Sequence, residues 1–177
     1  MKGFTFKFSL FTLAVMLLAA CGPNREQEIQ NIEQHEIELS SIDISSDDSA
    51  AVEMVNLYRQ FAANFPDDSL APAYMQRAAE ISINLGQTDQ AIDLLDSIVT
   101  LYPAYEDVAG CYFMKGYAYE VAEQIDMARE AYTYFVENYP DHYLAPDTKK
   151  MINFLGMTPE DMFDAIMNMA NDEGMTR

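Results

Sequence analysis

Residues 112–140 read YFMKGYAYEVAEQIDMAREAYTYFVENYP, and this stretch decides the fold. Three apolar residues stand twelve, eight and five positions before Pro140: Ala128, Tyr132 and Phe135. Because these neighbours are separated by four and three positions, they lie on one face of an α-helix. Twelve positions before Ala128 stands Gly116, whose small size lets a second helix approach closely. The stretch therefore predicts two helices that pack as a hairpin and end at a proline.

The same pattern recurs along the chain at an interval of 37 residues. An aromatic residue followed by proline occurs three times with this spacing, at Phe65-Pro66, Tyr102-Pro103 and Tyr139-Pro140. Two further series of residues share the interval. The first has slimmer side chains, at Met54, Ala91 and Ala128, and the second has bulky ones, at Tyr58, Leu95 and Tyr132. Self-similarity at a fixed period predicts a repeat architecture, in which each hairpin buries its apolar face against the next.

These residues resemble the tetratricopeptide repeat, a helical hairpin of about 34 residues. The hairpin that ends at Pro140 matches the family pattern at six positions: Tyr112, Gly116, Tyr119, Ala128, Tyr132 and Pro140. The preceding hairpin matches at Met75, Ala79, Ala91, Leu95 and Pro103. It departs from the pattern at Ala78 and Ser82, where the family has larger residues. The resemblance implies an all-α fold, a right-handed α-solenoid of tetratricopeptide-type helical hairpins.

We place the repeat domain at residues 47–177, with repeat units at about 47–66, 71–103, 107–140 and 145–171. Helices are predicted over 47–64, 71–85, 89–101, 107–122, 126–138, 145–155 and 159–171. For the last helix, Thr158 suits the N-cap and Pro159 suits the first helical position. Ala165 follows Ala128 by 37 residues, so this helix is predicted to be the second helix of a shortened last repeat.

The N-terminal residues have the pattern of a secretory signal peptide. An apolar run over residues 8–18 follows two lysines and is too short to span a bilayer. The residues LAAC at 18–21 resemble the lipobox of bacterial lipoproteins, which implies removal of residues 1–20 and acylation of Cys21. With Gly22 next to it, the resemblance implies an outer-membrane anchor, and we expect the protein to face the periplasm. The alternative is an ordinary cleavage site with a chance cysteine beside it.

Residues 21–46 are predicted to be a lipid-anchored tether that leads to the repeats. Ile29, Ile32 and Leu39 are spaced to line one face of a helix. The alternation from Ile37 to Ile44 would equally suit an extended chain. The residues leave both alternatives open.

Composition and motifs argue against several classes of function. The chain has 29 Asp and Glu against 10 Lys and Arg, so it lacks the cations needed to hold nucleic acid. It contains no nucleophile elbow, no glycine-rich phosphate loop and no paired histidine motif for zinc. His35 and His142 are far apart, and neither has a partner at metal-ligand spacing. We therefore predict no enzymatic activity, no cofactor and no bound metal.

In tetratricopeptide repeats the first helix of each hairpin lines a concave groove, and the resemblance carries this role to named residues. The candidates are Gln76, Arg77, Glu80 and Asn84, then Phe113, Met114, Tyr117 and Glu120, and finally Lys150, Met151 and Phe154. Arg77 and Lys150 would meet a carboxylate of an extended peptide, and the apolar residues would take its side chains. The alternative is that Phe113 and Phe154 only pack between neighbouring repeats.

The chain resembles small tetratricopeptide lipoproteins of the Bacteroidota. It is more distantly similar to the repeat-built lipoprotein of the β-barrel assembly machinery and to the periplasmic partner of the Tol-Pal system. This implies a non-catalytic scaffold or adaptor that binds envelope proteins or peptide segments. The alternative is a binding lipoprotein associated with glycan or nutrient uptake, although the absence of Trp favours peptide over sugar.

Overall fold

The computed structural model describes residues 22–41 and 48–175, and within these ranges all regular structure is helical. Eight helices follow one another along the described chain: α1 (Arg25–Ser41), α2 (Ser49–Asn64), α3 (Ala71–Asn84), α4 (Thr88–Leu101), α5 (Val108–Val121), α6 (Ile125–Asn138), α7 (Ala145–Met151) and α8 (Pro159–Met175). The bounds of α2 to α6 lie within two residues of those predicted. The predicted signal peptide and Cys21 lie outside the described residues.

Consecutive helices pack side by side, so that the chain advances as a stack of hairpins. Helix α1 packs against α2, α3 against α4, and α5 against α6. Further contacts join α2 to α3, α4 to α5 and α6 to α7, and α3 also contacts α5, the equivalent helix of the next hairpin. One cluster of buried side chains runs from Ile32 in α1 to Ala118 in α5, and a second surrounds Tyr132. The predicted solenoid of helical hairpins is confirmed.

The two helices of the third hairpin approach each other at Gly116 and Tyr132. A Cβ added to Gly116 would lie 2.5 Å from the nearest ring carbon of Tyr132, so the ring occupies the space that a side chain would need. In the second hairpin the equivalent residues are Ala79 and Leu95, both fully buried. A larger side chain on one helix is thus matched by a smaller one on the other, as dense packing requires.

Helix α1 differs from the tether predicted over residues 21–46. Ile32 is 1% exposed in the core, whereas Ile37 is 66% exposed, so the helical alternative is the right one. The Arg25 guanidinium pairs with the Asp68 carboxylate in the loop after α2, and this contact holds the pKa of Asp68 below its usual value. Helix α1 is therefore the first helix of the first hairpin, and the folded domain begins near residue 25 instead of 47.

A long connection explains why the periodicity missed this helix. Seven residues separate α1 from α2, after Ser41 and before Ser49, whereas three residues separate α3 from α4. The longer connection moves α1 out of the 37-residue register that links the other helices. Residues 42–47 of this connection lie outside the described ranges.

The C-terminal end of the chain also differs from the predicted last repeat. Helix α7 ends at Met151 instead of 155, and the Arg129 guanidinium donates hydrogen bonds to the carbonyls of Ile152 and Leu155 that follow it. Leu155 packs into the cluster of Ala128 and Tyr132. Among the described elements, α8 packs against no other helix, and its Phe163 side chain is 63% exposed. The hairpin predicted for residues 145–171 is therefore not closed.

The first helices of the second and third hairpins end in the same left-handed turn. Gly86 has φ +71° and Glu123, which is 37 residues further on, has φ +58°. After each helix the next N–H group bonds back across the turn, from Gln87 to the carbonyl of Ser82 at 2.8 Å and from Gln124 to that of Tyr119 at 2.9 Å. This arrangement favours glycine, so Glu123 carries a strain that Gly86 does not.

We predict that Ala128→Leu destabilises the fold by about 1 to 3 kcal/mol, because overpacking a filled helix crossing displaces its neighbours. Ala128 is fully buried. The matched control is Ala63→Leu, which makes the same change at an exposed position of α2. Urea denaturation followed by circular dichroism measures both. Equal midpoints for the two variants would contradict the packing described for the third hairpin.

We predict that Glu123→Gly stabilises the fold by about 1 kcal/mol, since glycine adopts a positive φ without steric cost. The gain in stability is smaller than the strain released, because glycine has more conformational entropy in the unfolded chain. The converse change, Gly86→Ala, should lower stability, because it puts a Cβ where φ is also positive. Urea midpoints for the two variants should therefore move in opposite directions. A loss of stability in Glu123→Gly would show that the turn carries no strain.

Candidate binding groove

A concave cavity of about 330 Å³ lies between the second and third hairpins. Its walls come from α3, from α5 with the residue before it, and from the loop that precedes α7. We call this surface the groove, and its lining is Gln76, Glu80, Ile83, Asn84, Asp107, Gly110, Phe113, Met114, Tyr117, Tyr143 and Leu144. The α3 residues recur at intervals of four and three, so a single face of that helix forms one wall.

The structure brings together six of the eleven residues predicted to line the groove: Gln76, Glu80, Asn84, Phe113, Met114 and Tyr117. The other five do not line it: Arg77, Glu120, Lys150, Met151 and Phe154. The prediction did not include Asp107 or Tyr143. Asp107 comes directly before the first residue of α5. An acidic residue at the start of a helix that lines the groove was the signal in the sequence that could have identified it.

Gln76 is held in one orientation at the floor of the groove. Its amide nitrogen donates a hydrogen bond to Asp107 Oδ2 at 2.6 Å, and its amide oxygen accepts one from the Tyr105 hydroxyl, also at 2.6 Å. Burial raises the pKa of Tyr105 to about 12, so this hydroxyl keeps its proton at neutral pH. Although Asp107 stands at the N-cap of α5, its carboxylate caps no N–H group of that helix. Gln76 and Asp107 are therefore preorganised in the lining of the groove.

Aromatic and thioether side chains form the apolar part of the groove. Tyr117 is 45% exposed and Tyr143 is 80% exposed, whereas Phe113 and Met114 are half-buried. The Phe113 ring also packs against the rings of Tyr132 and Phe135, at centroid distances of 5.6 and 5.7 Å. Phe113 thus serves the packing between helices and lines the groove at the same time, so the two alternatives for this residue do not exclude each other.

The two cations predicted to meet a carboxylate lie outside the groove. Arg77 Nη1 bonds to Glu36 Oε1 of α1 at 2.5 Å, and Tyr58 donates its hydroxyl proton to the same oxygen at 2.6 Å. Lys150 pairs with Asp147 of its own helix at 3.0 Å, and both side chains are exposed. The structure therefore does not support a carboxylate site formed by Arg77 and Lys150. The reason is α1, whose Glu36 was absent from the predicted hairpins.

The remaining predicted residues lie in the third hairpin and in the segment that packs after it. Glu120 accepts a hydrogen bond from the Tyr132 hydroxyl at 2.8 Å, and burial raises the pKa of Tyr132 above its usual value. Met151 packs against the cluster of Ala128, Tyr132 and Leu155. Phe154 is half-buried in the turn that follows α7. Glu120 and Met151 thus support the third hairpin, and none of the three residues lines the groove.

A larger cavity, of about 880 Å³, lies between the loops that follow α2 and α4. Polar groups in these loops already have intramolecular partners. The Tyr102 hydroxyl donates to the carbonyl of Pro66 at 2.8 Å, and the Asp68 carboxylate accepts from Arg25 and from the backbone N–H of Leu70. The groove is the better candidate site, because six of the residues predicted to bind a partner line it.

Metal-binding clusters and membrane-spanning helices are both absent from residues 22–41 and 48–175. No group of three or more His, Cys, Asp or Glu side chains in these ranges is arranged to hold a metal ion. No helix in the described part of the chain is long and apolar enough to cross a bilayer. The Cys111 thiol is buried in α5, and burial raises its pKa to about 12, so it is protonated at neutral pH.

Comparison with known proteins supports the repeat assignment. The family model described as tetratricopeptide repeat matches residues 73–105 and 111–142, which correspond to the second and third hairpins. Neither a curated protein nor a solved structure matches the chain. Domains built from this repeat generally bind protein partners and are typically non-catalytic scaffolds. The chain is therefore a protein that contains tetratricopeptide repeats, and the groove lies between the two hairpins that the family model matches.

Proposed function

We propose that this chain is a non-catalytic scaffold or adaptor that binds a segment of a partner protein in the groove. One observation carries the proposal: exposed Tyr117 and Tyr143 converge with half-buried Phe113 and Met114 on one concave surface. Large aromatic side chains contribute much of the energy at protein interfaces, because they bury a large area at a low cost in conformational entropy. The preorganised Gln76 and Asp107 would orient the segment.

The dimensions of the groove suit an extended segment better than a folded domain. The cavity of about 330 Å³ holds a few side chains, and it runs between two helices that are in direct contact. An extended peptide can lay alternate side chains into such a cleft and leave the others in solvent. Because the groove exists without a partner, little ordering of the scaffold would oppose binding.

We further propose that the protein is anchored in the outer membrane through a lipid at Cys21, faces the periplasm and takes part in envelope assembly. The lipobox-like residues at 18–21 support this proposal. Helix α1 begins at Arg25, only four residues after Cys21. Four extended residues span about 14 Å at most, so the anchor would hold the repeats close to the membrane. Residues 25–41 of the predicted tether would then belong to α1.

Site-specific photocrosslinking tests the groove. We predict that benzoylphenylalanine in place of Tyr117 gives a discrete crosslinked product in cells that produce the protein. The same replacement of Tyr134 is the control, because this tyrosine is equally exposed, at 44% against 45%, and lies on α6 outside the groove. A product at position 117 that is absent at position 134 supports the proposal. Equal products, or a product at 134 alone, would place the binding surface elsewhere.

Fractionation tests the anchor. We predict that Cys21→Ser moves the protein from the membrane fraction to the soluble fraction, because two or more acyl chains are needed for firm attachment and none would be added. The helical circular dichroism and the thermal midpoint should not change, since α1 and the repeats begin after the anchor. Undiminished membrane association in the variant would contradict the proposed anchor and leave the groove unaffected.

A further inference from the structure

The groove contains two carboxylates and, among its lining residues, no cationic side chain. Glu80 lies exposed on the α3 wall, and Asp107 lies at the start of the α5 wall. The only side-chain donor that the structure gives to Asp107 in the described residues is the neutral amide of Gln76. Asp107 therefore has no ion pair within the described residues. For Glu80, no ion pair is present within the described ranges.

Several basic side chains of the repeats are already used in ion pairs outside the groove. Arg25 pairs with Asp68, Arg77 with Glu36, and Lys115 with Asp96 at 2.5 Å. Arg77 stands three residues before Glu80 on the same helix, yet its guanidinium turns to α1. The chain has 10 Lys and Arg against 29 Asp and Glu, so its excess charge is negative. This excess does not neutralise the two acids of the groove.

We propose that the groove selects an extended segment in which a lysine or arginine adjoins an apolar or aromatic side chain. This inference rests on the proposed function. The site is defined by the cavity and its aromatic lining together with the two acids, and not by the acids alone. The cation meets Glu80 and Asp107, with which it forms charge-assisted hydrogen bonds. The exposed rings of Tyr117 and Tyr143 offer the same cation a π-face. The neighbouring apolar side chain packs on Phe113 and Met114.

An acidic segment is excluded by the same geometry. A carboxylate placed in this groove would face two like charges and find no lysine, arginine or histidine among the lining residues. Like charges at close range across an interface oppose binding strongly. The chemistry is thus the reverse of the carboxylate recognition that Arg77 and Lys150 would have provided.

Selection from a library of random nonapeptides, displayed on phage and panned on the purified full-length chain, tests the inference. We expect the selected peptides to be enriched in lysine or arginine beside an aromatic or aliphatic residue. A synthetic copy of the best peptide should bind the double variant Glu80→Gln with Asp107→Asn about tenfold or more weakly than the original protein, because a hydrogen bond to a charged group is lost at each site. The amide at position 107 can still accept the Gln76 hydrogen bond, so the fold should persist.

The control is Glu130→Gln, which removes one exposed charge from α6 outside the groove. Binding of the selected peptide should be unchanged in this variant. If Glu130→Gln and the double variant lose peptide affinity equally, the peptide is attracted by the overall negative charge of the protein. That result would overturn the inference. Selected peptides that lack basic residues, or that are acidic, would also overturn it.

Tyr143→Ala separates failure of this inference from failure of the proposed function. Tyr143 is 80% exposed, so its truncation should not affect folding. If peptides without basic residues are selected and their binding is lost in Tyr143→Ala, the groove is a binding site and only the preference for a cation is wrong. If no peptide is selected and no crosslink forms at position 117, the groove is not a binding site and both proposals fail.

Discussion

The close approach of α5 and α6 at Gly116 and Tyr132 is the contact on which the geometry of the repeats depends. The ring of Tyr132 fills the volume that a side chain on Gly116 would need. Because protein interiors are densely packed, this contact determines the distance between the two helices of the hairpin. The second hairpin reaches a similar arrangement with Ala79 opposite Leu95. With both hairpins closed in this way, α3 and α5 stand side by side and their exposed faces form one groove.

The choice of Tyr132 has a second consequence, because its buried hydroxyl needs a hydrogen-bond acceptor. Glu120 provides the acceptor in the third hairpin, and Glu36 provides it for Tyr58 in the first. In the second hairpin the positions equivalent to Tyr132 and Glu120 are Leu95 and Ile83, both apolar and buried. Residues on the two helices of a hairpin are therefore matched in polarity as well as in size. The first and third hairpins contain the polar pair, and the second contains the apolar one.

Sequence periodicity predicted the features that depend on a single helix face. It placed α2 to α6, and the resemblance to the tetratricopeptide repeat then placed six groove residues on α3 and α5. Asp107 and Tyr143 were missed because they lie at a helix start and in a loop, where no periodicity constrains a side chain. Arg77 was placed on the correct helix, but its partner was not foreseen. Glu36 belongs to α1, which a long connection removes from the 37-residue register.

The distribution of charge follows from the same construction. Cations of the described repeats hold neighbouring elements together: Arg25 joins α1 to the loop after α2, Arg77 joins α3 to α1, and Lys115 joins α5 to α4. Each such pair neutralises one acid at a contact between elements, whereas the groove acids Glu80 and Asp107 have no ion pair within the described residues. The chain as a whole carries a net charge of −19. A field of this sign extends over about a Debye length, roughly 8 Å at physiological ionic strength, and it accelerates the approach of cations. This surplus of acid therefore favours the approach of basic segments over acidic ones.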